Sequence, residues 1–323
     1  MTTVSSMSER QRTVWMFVAL IVVGSIAPFV LYPTFLMKVL CFALFACAFN
    51  LLLGFAGLLS FGHAAFFGGS AYITGYLCRD LGLSPELGLL AGAAFGGVLG
   101  ALFGMLAIRR EGIYFAMITL GLAQLVYFVA VQMKFTGGED GMQGIPRGKL
   151  FGLVDLSDNI AMYFFVFAVF LGGFWLIHRT IHSPFGQILK AIRDNEPRAI
   201  SLGYDVARFK LLAFVISASL AGLAGSMKSL VFQLASLADV HWHTSGQVVL
   251  MTLLGGLGTI LGPVAGAITI VSLEDLLADK VGSWVTVIMG AIFVICVLLF
   301  RRGVVGEIGA LLGKKPASGP AGH

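Results

Sequence analysis

Five stretches of this chain, Trp15 to Phe35, Val39 to Ala56, Leu87 to Ile108, Ile113 to Met133 and Ile160 to Ile177, run almost free of charge. Each has about the length of helix that crosses a bilayer core. A water-soluble globule cannot be dressed around such runs. Of the 323 residues 58% are apolar and 11% charged, against roughly 25% charged in an ordinary soluble domain. The charges also cluster between the runs instead of alternating with them. In hydrocarbon every backbone amide must be satisfied inside its own segment, which leaves helices as the economical solution for runs of this length. The sequence therefore predicts an all-α polytopic membrane protein.

Proline and glycine seams divide it into spans at 15–35, 37–56, 58–78, 86–108, 112–133, 160–178, 209–232 and 284–300. Between the last two lies 246–273, with Gly255, Gly256, Gly258, Gly262 and Pro263 at its middle. A continuous helix is weakened there, so a broken or re-entrant element is expected, with those five residues as its hinge. This gives eight full crossings plus one hairpin. The N-terminal tail, 1–14, and the C-terminal tail, 301–323, then share the cytoplasmic side and flank a transmembrane domain at 15–300. Arg10 and Arg12 ahead of the first run could introduce a signal peptide, but the run is long and lacks a small-residue cleavage site, so an uncleaved span is expected.

In this topology the cytoplasmic segments hold 14 Lys/Arg against 6 Asp/Glu, and the external segments 7 against 10. That is a positive-inside distribution. The net charge of +5 and the pI near 9.1 thus report orientation and not nucleic-acid binding.

Two connections are longer than turns. The external one, 134–159, carries Thr136, Gly137, Gly138, Gly141 and Pro146 and is expected to be partly ordered, either as a cap over a path or as a tolerated surface loop. The cytoplasmic one, 179–210, combines six basic and three acidic residues with apolar Phe185, Ile188, Leu189 and Ile192, then Ala199, Ile200 and Leu202. This spacing predicts two short amphipathic helices divided at Asn195-Glu196-Pro197, with Asn195 capping the second. Glu196, Ala199 and Gly203 fall on roughly one face, where small residues allow close docking by another protein.

Enzymatic readings find little support. Gly255 to Gly262 is glycine-rich but lacks the Gly-Lys-Ser/Thr ending of a phosphate loop, so no ATP site and no cofactor is expected on this chain. Cys41, Cys47, Cys78 and Cys296 lie in or beside apolar segments without paired spacing, and His241 and His243 make no complete metal set; no metal site, disulfide or catalytic group is expected. The spans hold few acidic residues, which argues against a proton relay.

The unusual intramembrane region is Asn50 to Tyr72, which gathers Asn50, Gly57, Ser60, Gly62, His63, Ser70 and Tyr72 among small residues. Polar groups at that depth need partners or water, so they either lock helices together or line and gate a path. Thr119 and Gln124 are further path candidates.

The stretch Gly54-Phe-Ala-Gly57-Leu-Leu-Ser60-Phe-Gly62-His63-Ala, taken with Phe185-Gly-Gln-Ile-Leu-Lys-Ala-Ile192-Arg193-Asp-Asn-Glu196-Pro-Arg-Ala199 and Gly203, resembles the LivM-type permease subunit of bacterial branched-chain amino-acid ABC importers. The resemblance extends to Arg109 to Phe115, Thr136-Gly-Gly with Gly141, and Gly255 to Pro263, and covers about 35–306. Pro197 directly after Glu196 departs from the general coupling pattern, which is matched only at Glu196, Ala199 and Gly203.

The resemblance implies a multi-pass subunit of the bacterial inner membrane, paired with a LivH-type permease, two LivG/LivF-type ATPases holding ATP and Mg, and a periplasmic substrate-binding protein. It implies that Phe185, Ile192, Arg193, Glu196, Ala199 and Gly203 couple the permease to the ATPases. Alternatives are an importer of urea, short amides or another small organic acid on the same architecture, and an ion-driven secondary transporter.

Overall fold

The computed structural model describes residues 9–284 and, beyond them, 287, 288, 290–292 and 294. Most of the expected span at 284–300 and all of the tail at 301–323 lie outside the described residues. The chain forms α1 (Glu9–Val30), α2 (Pro33–Asn50), α3 (His63–Arg79), α4 (Pro85–Ala107), α5 (Gly112–Gln132) and α6 (Asn159–Ile181). These are followed by α7 (Pro184–Asp194), α8 (Glu196–Ser201), α9 (Val206–Phe232), α10 (Leu237–Val240), α11 (Trp242–Gly255) and α12 (Gly262–Val281). Proline opens α2, α4 and α7 in the first turn, where its missing N–H has no helical partner to lose. Asp158 and Asp205 cap α6 and α9 through their carboxylates.

Among the described residues six helices are long and apolar enough to cross a membrane, not eight: Thr13–Val30, Pro33–Phe55, Pro85–Ala107, Gly112–Gln132, Asn159–Ile181 and Val206–Phe232. The expected span at 58–78 is shorter because helix resumes only at His63. After Asn50 the backbone widens into a π-helical turn, Leu51–Phe55, and then leaves the helix, with Gly57 at φ +73°. The resulting α3 has 17 residues. In the expected broken segment the helix stops at Gly255 and restarts at Gly262, and α11 and α12 pack against each other as a hairpin. A Cβ on Gly255 would strike the Gly262 carbonyl, and one on Gly266 the Met251 carbonyl, so the two arms approach backbone to backbone.

The core is built around α2 and α9. From Cys41 in α2 to Leu52 in the π-helical turn the chain is buried without interruption, and α2 is enclosed by α6, α9, α11 and α12. Helix α9 packs on α2, α3 and α4. Its seam with α4 depends on glycine every fourth residue, Gly88, Gly92, Gly96, Gly100 and Gly104, which forms one small-residue stripe along α4. A Cβ at Gly96 would lie 2.6 Å from the Ala218 carbonyl oxygen. Without a hydrophobic drive between helices in lipid, such close backbone approach and its van der Waals contact hold the pair together. Helix α1 lies at the edge, largely exposed and tied in where the Tyr163 hydroxyl donates to the Gly24 carbonyl at 2.7 Å.

The bundle has two distinct ends. At one, β1 (Met142–Gln143) pairs antiparallel with β4 (Leu234–Ala235), and β2 (Lys149–Leu150) with β3 (Val154–Asp155), giving order to the 134–159 connection. Arg147 fastens this loop, donating to Asn159 Oδ1 at 2.8 Å and to the Val231 carbonyl at 2.9 Å. Partial burial lowers its pKa. At the other end, the turn after Phe55, the α4–α5 turn, α7 with α8, and the tip of the α11–α12 hairpin come together.

Candidate functional site

The 179–210 connection folds as a small unit of its own. Ser183 caps α7, accepting from the Gly186 N–H, and Asn195 caps α8, accepting from the Arg198 N–H at 3.0 Å. Ile192, Ala199 and Val206 form a separate buried cluster, with Ile188 and Phe209 packed against it. Phe185 stacks on Phe209 with ring centroids 5.6 Å apart. The two helices are therefore glued to the first turns of α9.

Within this unit the expected docking face is rearranged. Ala199 is only 2% exposed, because it fills the core beneath α8. Glu196 turns toward the bundle, where its carboxylate accepts from Lys210 Nζ at 2.6 Å. Lys210, on α9, is 5% exposed and also reaches Glu111 Oε1 at 3.4 Å. Sequence reasoning did not single out Lys210, although a lone lysine just inside an apolar span requires a partner. What remains outward is Gly203, at φ +85° with open space around it, flanked by Ile200 and Leu202, which are 57% and 68% exposed.

The C-terminal end of α7 supplies the link to the bundle. Arg193 Nη1 donates to the Gly54 carbonyl in the π-helical turn at 2.5 Å, while Nε and Nη2 donate to Asp194 at 3.1 and 2.9 Å. Its aliphatic stem lies over Gly57, where a Cβ would come within 2.9 Å of Arg193 Cγ. One turn earlier on α2, Asn50 holds the hairpin tip by two bonds: Nδ2 donates to the Thr259 carbonyl at 2.8 Å and Oδ1 accepts from the Gly258 N–H at 3.1 Å. Thr259 in turn braces the tip, donating to the Gly256 carbonyl and accepting from the Gly262 N–H. Asn50, Gly57, Arg193, Gly258 and Gly262 came from three separate sequence segments, and the fold gathers them at one junction.

The other path candidates divide. Ser60 accepts from the Gly62 N–H at 3.1 Å, and Thr119 accepts from the Phe61 N–H while donating to the Ala116 carbonyl, so both shape the turn before α3. His63 is fully buried among Phe49, Phe66 and Phe214, with Nε2 2.9 Å from Ser217 Oγ. Ser70 donates to the Gly92 carbonyl at 2.7 Å within the packing of α3, α4 and α9. Tyr72 is buried, and its hydroxyl has no hydrogen-bond partner among the described residues. His63 and Ser70 thus bond across helix seams in this arrangement. Gln124 is different: with Leu125, Phe128, Val129 and Gln132 it lies on a largely exposed face of α5.

Other polar sites are structural in form. Lys228 on α9 pairs with Asp239 on α10 and lies over the rings of Phe42 and Phe67. Lys38 at the start of α2 donates to Asp275 at 2.6 Å and lies 3.8 Å from Glu274, both on α12. Cys41, Cys47 and Cys78 are buried free thiols. No group of three or more metal-ligating side chains occurs among the described residues.

A family described as the branched-chain amino acid transport system permease component matches residues 31–297. The chain is 28% identical over 283 residues to the high-affinity branched-chain amino acid transport system permease protein LivM of Escherichia coli (strain K12). That match covers 79% of this chain and 65% of the relative, so the chain spans just under two thirds of the relative's length. It is 29% identical over 200 residues to the autoinducer 2 import system permease protein LsrC of Klebsiella pneumoniae, covering 57% of this chain and 53% of the relative. To the ribose import permease protein RbsC of Bacillus subtilis it is 26% identical over 254 residues, covering 72% and 73%. No solved structure matches the chain. With a match that takes in nearly all of the helical bundle and both sides of the Arg193 junction, the chain belongs to the branched-chain amino acid transport permease family, whose members are membrane transport components and not enzymes.

Proposed function

We propose that this chain is the permease subunit of an ATP-driven importer that carries branched-chain amino acids across the bacterial inner membrane. The observation that carries the reading is the architecture of the coupling end: an amphipathic helix pair stands outside the bundle, presents open Gly203 between exposed Ile200 and Leu202, and is bonded inward to the hairpin tip through Arg193 and Asn50. That arrangement suits a device driven from outside the chain. ATP and Mg belong to two separate ATPase subunits of the LivG/LivF type, one of which docks on this patch. Phe185, Ile192, Glu196 and Ala199 act by holding the docking unit together.

The coupling end is the cytoplasmic one in this reading, consistent with the excess of Lys and Arg there. Eight full crossings, with 284–300 as the last, keep both termini on that side, and the α11–α12 hairpin enters from the opposite side. The exposed face of α5 that holds Gln124 is where a second, LivH-type permease would pack to complete the path. A periplasmic binding protein delivers the solute to the end formed by the 134–159 loop. Transport is then population switching between two arrangements of the bundle, with no chemistry on the solute.

The relatives favour a second reading of the substrate alone. LsrC and RbsC are named for autoinducer 2 and ribose, so the same architecture accommodates other small polar solutes. Uptake into proteoliposomes holding the assembled complex separates the readings. Radiolabelled leucine, isoleucine or valine should accumulate only with ATP and binding protein. A complex that accumulates urea or ribose but none of these three overturns the substrate assignment, and uptake by this chain alone under an ion gradient overturns the ATP-driven one.

A further inference from the structure

We infer that Arg193 is the positioning residue that transmits movement of the coupling helices to the hairpin tip, through the π-helical turn of α2. The inference rests on the importer reading above and adds a specific route to it. Helices α7 and α8 are fixed to the start of α9 by the cluster of Ile192, Ala199 and Val206 and by the bond from Lys210 to Glu196, so a force on the docking patch moves them as one body. Arg193 extends from that body into the bundle. Its guanidinium is held at a fixed angle by Asp194 on two nitrogens, which leaves Nη1 aimed at the Gly54 carbonyl. A lysine has one nitrogen at the end of a flexible stem and cannot hold both partners in this way.

The receiving element is suited to move. A π-helical turn inserts one residue into the helical ladder and weakens its regular bonding, and such turns are frequent at functional sites. Gly54 also touches the tip: a Cβ there would lie 2.6 Å from the Gly258 nitrogen. On the preceding turn Asn50 binds both Gly258 and Thr259. A shift of Leu51–Phe55 therefore carries the tip with it or breaks the two Asn50 bonds. The tip itself has two glycines, Gly256 and Gly258, at φ +113° and +70°, and its arms are held to each other by backbone contact, so it can re-seat as a unit.

The test uses the full importer complex in proteoliposomes, with leucine as the solute and the binding protein present. Arg193→Gln is expected to keep ATP hydrolysis within about twofold of wild type while leucine uptake per ATP falls about tenfold, the size of effect that loss of a coupling residue produces. Arg193→Lys should fall between them. In a chain with its native cysteines replaced by alanine, spin labels at Leu257→Cys on the tip and Leu106→Cys on α4, outside the proposed route, should change separation on trapping with ATP and vanadate, and this change should vanish with Arg193→Gln. Both sites are exposed.

A wild-type uptake-to-ATP ratio in Arg193→Gln, or a label shift that persists without the guanidinium, overturns the inference while leaving the importer reading intact. Absence of ATP-dependent uptake in the wild-type complex overturns both and is visible before any variant is made. Should Arg193→Gln not assemble, Asp194→Ala keeps the guanidinium but removes the oxygen that orients it, and it should lower the ratio about threefold. An unchanged ratio there also overturns the inference.

Discussion

Arg193 Nη1 donates to the carbonyl oxygen of Gly54 at 2.5 Å, joining the end of α7 to the π-helical turn of α2 across 139 residues of sequence. The contact needs no side chain on the acceptor. It needs a carbonyl that the helical ladder has left accessible, and a neighbour, Gly57, with no Cβ to obstruct the arginine stem. Around it, groups that are polar in sequence are satisfied by backbone, so the junction is stiff where it bonds and yet has glycine at each bend.

Asn50→Ala removes both bonds to the hairpin tip. It leaves the Gly258 N–H and the Thr259 carbonyl short of a partner in a partly buried place. Stability should drop by about 1–3 kcal/mol, the penalty for orphaned polar groups. Hydrogen exchange of the amides at 256–261 should quicken, whereas that of α4 should not. Unchanged protection at the tip would show that Asn50 does not hold it.

Lys210 and Glu196 should behave as a coupled pair. Lys210→Met and Glu196→Gln are each expected to cost about 1.5–3 kcal/mol, the range for hydrogen bonds to charged groups. The double variant should cost less than the sum, which a thermodynamic cycle on thermal unfolding measures. Additive losses would return Glu196 to a purely external role in docking.

The α4–α9 seam sets a contrast between two glycines. Gly96→Val forces branched carbon against the Ala218 carbonyl and should destabilise by about 1–3 kcal/mol or abolish assembly, as overpacking does. Gly121→Ala, with nothing within 4 Å of its Cβ position, should be neutral or stabilise by up to about 1 kcal/mol through helix propensity. Membrane-fraction yield and melting temperature decide it, and equal effects of the two substitutions would sink the packing account.

At the opposite end, Asp239→Ala strands Lys228 over the rings of Phe42 and Phe67. Breaking a buried pair from one side should destabilise by about 3–5 kcal/mol. Lys228→Met combined with Asp239→Leu should recover most of that, since two apolar groups leave no charge behind. A double variant as unstable as the single one argues for a role of the charge itself, which uptake assays would then reveal.

Much of the helical order was legible along the chain. Charge-free runs located α1, α2, α4, α5 and α6, because the length of a bilayer crossing leaves a long apolar signature, and the span at 209–232 located α9 despite Lys210 and Lys228. The Asn195 cap and the break between Gly255 and Gly262 were readable for a local reason: caps and helix breaks depend on residues next to each other. The start of α3 was misjudged, since nothing in the composition of 56–62 distinguishes a helix from an irregular turn with a single positive-φ glycine.

The site was legible only as a set of separate candidates. Residue type alone marked Asn50, His63, Ser70 and Thr119 as polar groups that need partners in an apolar setting. It could not choose between lining a path and locking helices, because the partners are backbone oxygens and hydroxyls on other helices, such as the Gly92 carbonyl for Ser70 and Ser217 for His63. Helical periodicity put Glu196 and Ala199 on one face, but tertiary packing turned that face inward, onto Lys210 and Val206. Sequence by itself therefore determined a many-helix membrane chain with a charged, amphipathic connection. Tertiary structure decided that this connection is bonded through Arg193 to the π-helical turn of α2, beside the hairpin tip held by Asn50, because close approach among glycine backbones leaves no periodic trace in side-chain chemistry.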